Sequence, residues 1–261
     1  MRFLLSRRWV VLAVIVVVLA YACYLLGRWQ FHRLAETKAS NAQISANMHA
    51  SPVPIGAVMA VRHPLPDSRE WRRVTVTGSY VDADTLTVRY QTRNGRSGVD
   101  VVTPLRTRSG AAVLVDRGWQ AAPNTAENPK LRPAPSGQVT VVGWTRANAT
   151  GDAAVVAYAS TRALSSATVA PTVDYPLYGG FLDLEHTSPK PDHPLVGAER
   201  PSLGDGPHFF YGLQWWFFGF LAVFGFGYLA YDERRKKLSG EPDDDDVDDE
   251  TEPAEPEASR S

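Results

Sequence analysis

The chain has 261 residues with 27 basic and 28 acidic side chains, for a formal charge of −1. The balance is uneven: Glu241–Ser261 carries eleven acids and one Arg, leaving +9 on the first 240 residues. Two long apolar runs, one near each end, exclude an ordinary soluble enzyme, and two are too few for a many-helix transporter.

From the N-terminus, residues 1–8 hold Arg2, Arg7 and Arg8, and Trp9–Leu26 is an uncharged run of 18 residues. As a helix it is roughly 27 Å long, enough to cross a bilayer. It exceeds the apolar core of a signal peptide, and Gly27-Arg28-Trp29-Gln30 offers no small-x-small cleavage site, so a retained membrane helix is expected. Cys23 lies inside this run and reads as a small buried thiol. It is the sole cysteine, which excludes an internal disulfide, a Cys-x-x-x-Cys copper pair, c-type haem attachment and multi-cysteine zinc sites.

Gly27–His208 is a segment of 182 residues, long enough for one domain with its own core. Pro52–Pro66 reads as a loop. From Arg72 to Arg146 the pattern has period two: Val74, Val76 and Tyr80 alternate with Thr75, Thr77 and Ser79, and Leu86, Val88 and Tyr90 alternate with Thr85, Thr87 and Arg89. Further strands are expected at Val99–Leu105, Ala111–Trp119 and Gln138–Trp144. They are broken at Asn94-Gly95, at Ser109-Gly110 (placed as a two-residue hairpin connection) and at Pro123–Gly137. Asp152–Ser166 is Ala-rich and predicts one helix with Asp152 as N-cap. Tyr175–Leu184 reads as a last strand, and Ser188–Pro207 as a proline-rich lead into the second apolar run. The fold expected is a mainly antiparallel β (α+β) domain, its sheet curled or closed on itself, flanked by two transmembrane helices.

Phe209–Tyr231 is an apolar run of 23 residues with Tyr211, Trp215, Trp216 and Tyr228 suited to the bilayer interfaces. Arg234-Arg235-Lys236-Lys237 follows at once, whereas the nearest basic residue on the other side is Arg200. The positive-inside rule then places both termini in the cytoplasm and the domain outside. Residues 232–261 read as a cytoplasmic basic then acidic tail whose charge keeps it unfolded.

Catalytic signatures are absent: there is no Gly-x-Ser-x-Gly elbow, His-Glu-x-x-His, P-loop or Gly-x-Gly-x-x-Gly. An enzyme is therefore not expected, and a membrane-tethered hydrolase would need a nucleophile, base and oxyanion donors that no motif supplies. Among six histidines, His49, His63, His186 and His193 fall in predicted loops as exposed side chains. His208 opens the second membrane helix, with Tyr211, Trp215, Phe218, Ala222 and Phe226 on the same side below it. Two readings stand: an imidazole ligand to haem iron above a ring stripe that flanks a flat macrocycle, or an interfacial His over rings that pack another helix. Arg117, in Leu114-Val115-Asp116-Arg117-Gly118-Trp119, also has two readings. It stacks on Trp119 at a strand end, or its guanidinium faces a haem propionate or a partner carboxylate.

The chain resembles the surfeit locus protein family, membrane factors for assembling haem-copper cytochrome c oxidase. The likeness lies in Leu26-Gly27-Arg28-Trp29-Gln30-Phe31-His32-Arg33, Arg73-Val74-Thr75-Val76-Thr77-Gly78, Val102-Thr103-Pro104-Leu105, Leu114–Trp119 and Pro207-His208-Phe209-Phe210-Tyr211-Gly212-Leu213-Gln214-Trp215. Asp116 stands where the family usually has Asn, and Gly212 where Ala is common. The resemblance implies delivery or insertion of haem a into oxidase subunit I, with the family's haem-associated histidine at His208 and Tyr211, Gln214, Trp215 and Arg117 beside the cofactor. Arg28, Trp29, Gln30, Arg33 and Trp119 are then partner or structural motif residues. The implied partners are subunit I, haem a synthase and the bilayer, with no nucleic acid. The alternative within the family is a scaffold that holds an oxidase intermediate without binding haem. Arg outnumbers Lys 22 to 5, which with abundant Ala and Val suggests a high-GC bacterial source and hence the plasma membrane.

Overall fold

The computed structural model describes residues 5–123 and 129–239, so the acidic tail lies outside the described residues. Contacts divide the chain into two compact units, one built from the terminal segments up to Thr37 and from Asp205, the other Lys38–Gly204. Helix α1 runs Arg7–His49 and helix α3 His208–Ser239. Both are long and apolar enough to cross a membrane. The first apolar run stops at Leu26, yet the helix continues because no proline follows before Pro52 and Ala, Arg, Gln, Leu, Glu and Lys recur along it. His49 accordingly sits on a helix rather than in a loop. The helical register also extends into the expected tail, through residues 232–239.

In the first unit the two helices are antiparallel neighbours that meet over small residues. Gly27 carries the Trp216 indole, Gly212 carries Phe31, and Gly219 faces Cys23 and Ala20. Aromatic rings close the seam at both ends, Trp9 on Phe226 with centroids 5.7 Å apart and Phe31 on Trp216 at 4.8 Å. Small residues let helix backbones approach where lipid supplies no hydrophobic drive between helices.

The second unit is a mixed sheet of eight strands in the order β1-β2-β6-β8-β5-β4-β3-β7, with β2 also pairing β4. The strands are β1 (Val53–Pro54), β2 (Arg73–Tyr80), β3 (Leu86–Arg93), β4 (Arg96–Thr107), β5 (Ala112–Ala121), β6 (Gln138–Arg146), β7 (Ser160–Thr161) and β8 (Leu177–Ser188). The β2–β4 pairing closes β2, β6, β8, β5 and β4 into a ring. Valines and leucines at alternate positions fill it: Val74 and Val76, Leu105, Val113 and Val115, Val139 and Val141, and Leu182. Ile55, Val58, Met59 and Leu65, from the segment read as a loop, join this core. The antiparallel expectation holds for most pairings, but β1–β2, β3–β7 and β5–β8 are parallel. Alternation does not report direction, because side chains alternate in either ladder.

Local departures have local causes. Asn94 and Gly95, at φ 50° and 73°, make the two-residue connection between paired Arg93 and Arg96, as expected of a type I′ turn. The Ser109-Gly110 hairpin is longer than two residues: the Thr107 amide donates to the Ala111 carbonyl at 2.9 Å, and Gly110 takes φ 87° between them. Tyr90 does not continue the alternation of β3. A bulge between Val88 and Gln91 puts it at φ 63° with its ring exposed.

Asp152–Ser166 is not one helix. Gly151 rather than Asp152 precedes a single 3-10 turn, Tyr158 and Ala159 take positive φ, and Ser160–Thr161 pairs in parallel with β3. The edge of β3 offers this β-branched stretch a ladder that its alanines alone do not outweigh. Only Ser166–Val169 is helical, as α2. The last strand reaches Ser188, so His186 belongs to a strand and not a loop. On the outer face of β4 and β5, a second core joins Val102, Ala112 and Leu114 to Leu164, Val169, Tyr175 and Leu177.

Leu182 is fully buried inside the ring, so Leu182→Ala should lower unfolding free energy by about 3 kcal/mol, read as a fall in Tm of the detergent-purified chain. A Cβ built on Gly219 would lie 3.2 Å from the Cys23 Cβ, close to disulfide reach. Mild oxidation of Gly219→Cys should therefore protect both thiols from maleimide, and free thiols after oxidation would contradict the packing.

Candidate functional site

His208 is the first residue of α3, half-buried, with its Nδ1 3.0 Å from Gln30 Oε1 on α1. An amide oxygen only accepts, so Nδ1 donates this bond, and in the neutral ring the lone pair is then on Nε2. Fixing an imidazole through one nitrogen while the other stays basic is how proteins orient a metal-ligating histidine. Gly206, at φ 66°, lies beside the ring, and a Cβ there would sit 3.5 Å from Nε2. Glycine thus leaves that nitrogen uncrowded, and the residues present fit an axial ligand to haem iron.

The rings below His208 form two groups. The side of α3 turned to α1 carries Gly212, Trp216, Gly219 and Phe226. Of the expected stripe, Phe226 packs on Trp9, Ala222 is half-buried, and Tyr211 and Phe218 face outward with Gln214. Trp215 is half-buried, edge to face with Phe218 at 6.1 Å. Among the motif residues of α1, Arg28 lies over Tyr24 at 5.9 Å, Arg33 pairs with Glu36 at 2.9 Å, and Trp29 is exposed. Gln30 is the one that reaches His208.

Arg117 and Trp119 lie on β5 in the second unit, and they do not stack on each other. Trp119 lays its ring on Gly98 and donates Nε1–H to the Gln91 carbonyl at 3.0 Å. Arg117 points into the ring, 7% exposed, with its guanidinium 5.7 Å from the Tyr80 ring centre. Nη1 donates to the Arg132 carbonyl at 3.1 Å and to Thr103 Oγ1 at 3.4 Å, and Nη2 to the Pro133 carbonyl at 2.6 Å. Burial pulls the Arg117 pKa below the usual arginine value and pushes the Tyr80 phenol up to about 12, against the pull of Arg117 and a weaker bond to Thr187.

Asp116 faces the other way. Buried on β5, it stands opposite Asp183 of β8 and close enough to Asp100 of β4 for their charges to oppose one another. Arg93 pairs with Asp100 at 2.8 Å and Arg146 with Asp183 at 2.5 Å, while Asp116 accepts only the Gly118 amide, at 2.9 Å. Burial first, then the neighbouring carboxylates, pushes Asp116 well above the ordinary carboxylate range. Asp100 is raised to about 6 and Asp183 upward, both chiefly by burial. Sequence reasoning missed this trio, although Asp100 and Asp183 interrupt apolar stretches (Val99–Val102, Leu182–Leu184) and Asp116 ends one, and that is a readable signal. Among the described residues no group of three or more His, Cys, Asp or Glu is arranged to hold a metal ion.

A carboxyl whose pKa is raised by folding stabilises the native state below its unfolded value, and that contribution fades as pH rises through the folded value. Stability should thus decline from about pH 4 to about pH 6, the window that Asp100 sets. Asp116→Asn keeps the acceptor for Gly118 and removes the charge. It should raise Tm at pH 8 by more than at pH 5; an equal or lower Tm at pH 8 would contradict the repulsion.

The SURF1 family model matches residues 17–220. A SURF1-like protein of Mycobacterium tuberculosis is 31% identical over 252 residues, covering 93% of this chain and 92% of the relative. Cytochrome oxidase assembly protein SHY1 of Saccharomyces cerevisiae is 28% identical over 97 residues, 37% of this chain and 24% of the yeast protein. With a family match that takes in both His208 and Gln30, and a relative alike over almost its full length, the chain belongs to the SURF1 family.

Proposed function

We propose that the chain is a membrane-bound assembly factor for cytochrome c oxidase that binds haem a and hands it to subunit I. Membership of the SURF1 family and the likeness to the yeast assembly protein support the oxidase role. The observation that carries the cofactor is the His208–Gln30 hydrogen bond, which commits Nδ1 and leaves Nε2 as the nitrogen for a metal. Bound haem a supplies an iron that takes an axial imidazole and a flat apolar ring that suits aromatic neighbours. His208 would hold the iron through Nε2, Gln30 would fix the ring plane, and Tyr211, Gln214 and Trp215 would border the macrocycle. No covalent chemistry is asked of the protein, so the role is that of a carrier or chaperone and not of an enzyme.

In this reading α1 and α3 cross the bacterial plasma membrane, with the basic cluster from Arg234 to Lys237 on the cytoplasmic side. The β-domain and His208 then lie on the outer side, and subunit I and haem a synthase are the partners met there. An imidazole at the outer rim of a membrane helix lets the cofactor move sideways between membrane proteins without entering water.

The test is the absorption spectrum of the full-length protein purified in detergent after co-expression with haem a synthesis. Wild type should show a haem band that His208→Ala loses, and Gln30→Ala should weaken haem retention about tenfold, as loss of an orienting partner does. Normal haem content in His208→Ala would refute the ligand assignment. Wild type that carries no haem yet co-purifies with the oxidase in an Arg117-dependent way would support the scaffold role instead.

A further inference from the structure

The ring of strands in the second unit has a cavity at one end. β5 and β8 run parallel, and β6 is antiparallel to both β8 and β2, so β2, β5 and β8 all point the same way. Their C-terminal ends meet at a cavity of about 410 Å³. The segments around Pro135 and from Lys190 to Gly197 form its rim, and the Arg132 guanidinium ties them together by donating to the Pro194 carbonyl at 2.8 Å. This cavity is not accounted for by the His208 geometry.

What lies at its base is chemically unusual. Arg117 is 7% exposed, and among the described residues no carboxylate is within ion-pair distance of it. Asp82 acts on it only from farther away. A buried cation without a counter-charge is costly. The bonds from Arg117 to Thr103, Arg132 and Pro133 occupy Nη1 and one N–H of Nη2. Nε–H and one Nη2–H therefore remain as donors for an anion. The Tyr80 ring lies against the guanidinium, its hydroxyl buried and weakly bonded to Thr187.

The remaining walls agree with an organic anion. Lys190 adds a second cation at the rim, and His186 and His193 add ring nitrogens. The Glu185 carboxylate, which also borders the cavity, is held at both oxygens by Arg73, at 2.8 and 3.0 Å, so its charge is already matched. Leu184, Leu195 and the prolines give the sides an apolar surface for a carbon skeleton.

We infer that this barrel mouth is a binding site for a small organic carboxylate, its oxygens on the unused Nε–H and Nη2–H of Arg117, with Lys190 as a second cation and its apolar body against Leu184 and Leu195. The inference is independent of whether His208 ligates iron. Two sources supply such a group, a free carboxylic acid and the propionate of a haem, and competition separates them.

The experiment is ligand-observed NMR on the full-length, detergent-purified chain, with benzoate as the probe and benzamide as its uncharged counterpart. Benzoate should bind at least tenfold more tightly than benzamide. Its affinity should fall about tenfold in Arg117→Lys, which keeps the charge and loses the fork, and about threefold in Lys190→Ala, which removes the second cation. Thermal melts of each variant report whether the domain remains folded, and Lys190→Ala carries the test should Arg117→Lys unfold. Loss of benzoate binding after haem loading would identify the carboxylate as a propionate; persistence would identify a separate acid. Equal binding of benzoate and benzamide, or benzoate affinity unchanged in Lys190→Ala and in folded Arg117→Lys, would overturn the site.

Discussion

The pairing of β2 on both of its edges, with β6 along one and β4 along the other, is the constraint from which the β-domain follows. A sheet joined to itself has an inside that must be filled, and valines at every second position of β2, β5 and β6 fill it. Closure also sorts the two faces of β5. Val113, Val115 and Arg117 turn inward, while Leu114 and Asp116 turn to the outer layer under Leu164 and Tyr175 or to the other aspartates. Two adjacent charges in one motif thus occupy separate environments, and Asp116 bears no direct bond to Arg117. The departure from Asn at 116 therefore acts on the carboxylate trio and leaves the guanidinium edge of Arg117 unaffected.

The terminal helices obey a different rule. Their contact is set by where side chains are missing: at Gly27 and Gly212 a neighbouring ring occupies the space of a Cβ, and at Gly219 the Cys23 side chain packs close by. That close approach places Gln30 within hydrogen-bond distance of His208. The motif from Gly27 to Gln30 is thereby resolved into two parts, a glycine that sets the distance between helices and an amide that holds an imidazole.

Much of this was legible in the residues and some was not, for identifiable reasons. Both apolar runs stood out because a span of uncharged residues has few other uses in a soluble chain. The strands from β2 to β6 were readable from alternation, and the Asn94-Gly95 turn from the φ that glycine and asparagine tolerate. The direction of β8 was not readable, since parallel and antiparallel ladders alternate alike. The residues after Asp152 misled because alanine favours helix in isolation, whereas here an unpaired strand edge recruited Ser160 and Thr161. His208 was conspicuous as a polar side chain opening an apolar helix, but its partner 178 positions earlier was not, because nothing local links the two. Tyr80 belongs to the alternation of β2, and only closure of the ring reveals that its ring ends beside Arg117.

The parallel union of β5 and β8 bears on how the protein is made. Residues so far apart can join only after everything between them has left the ribosome, and the strand that completes the ring ends at Ser188, shortly before α3 begins at His208. Contacts of this span are slow to form. Synthesis therefore delivers the second apolar helix almost as soon as the barrel can first close.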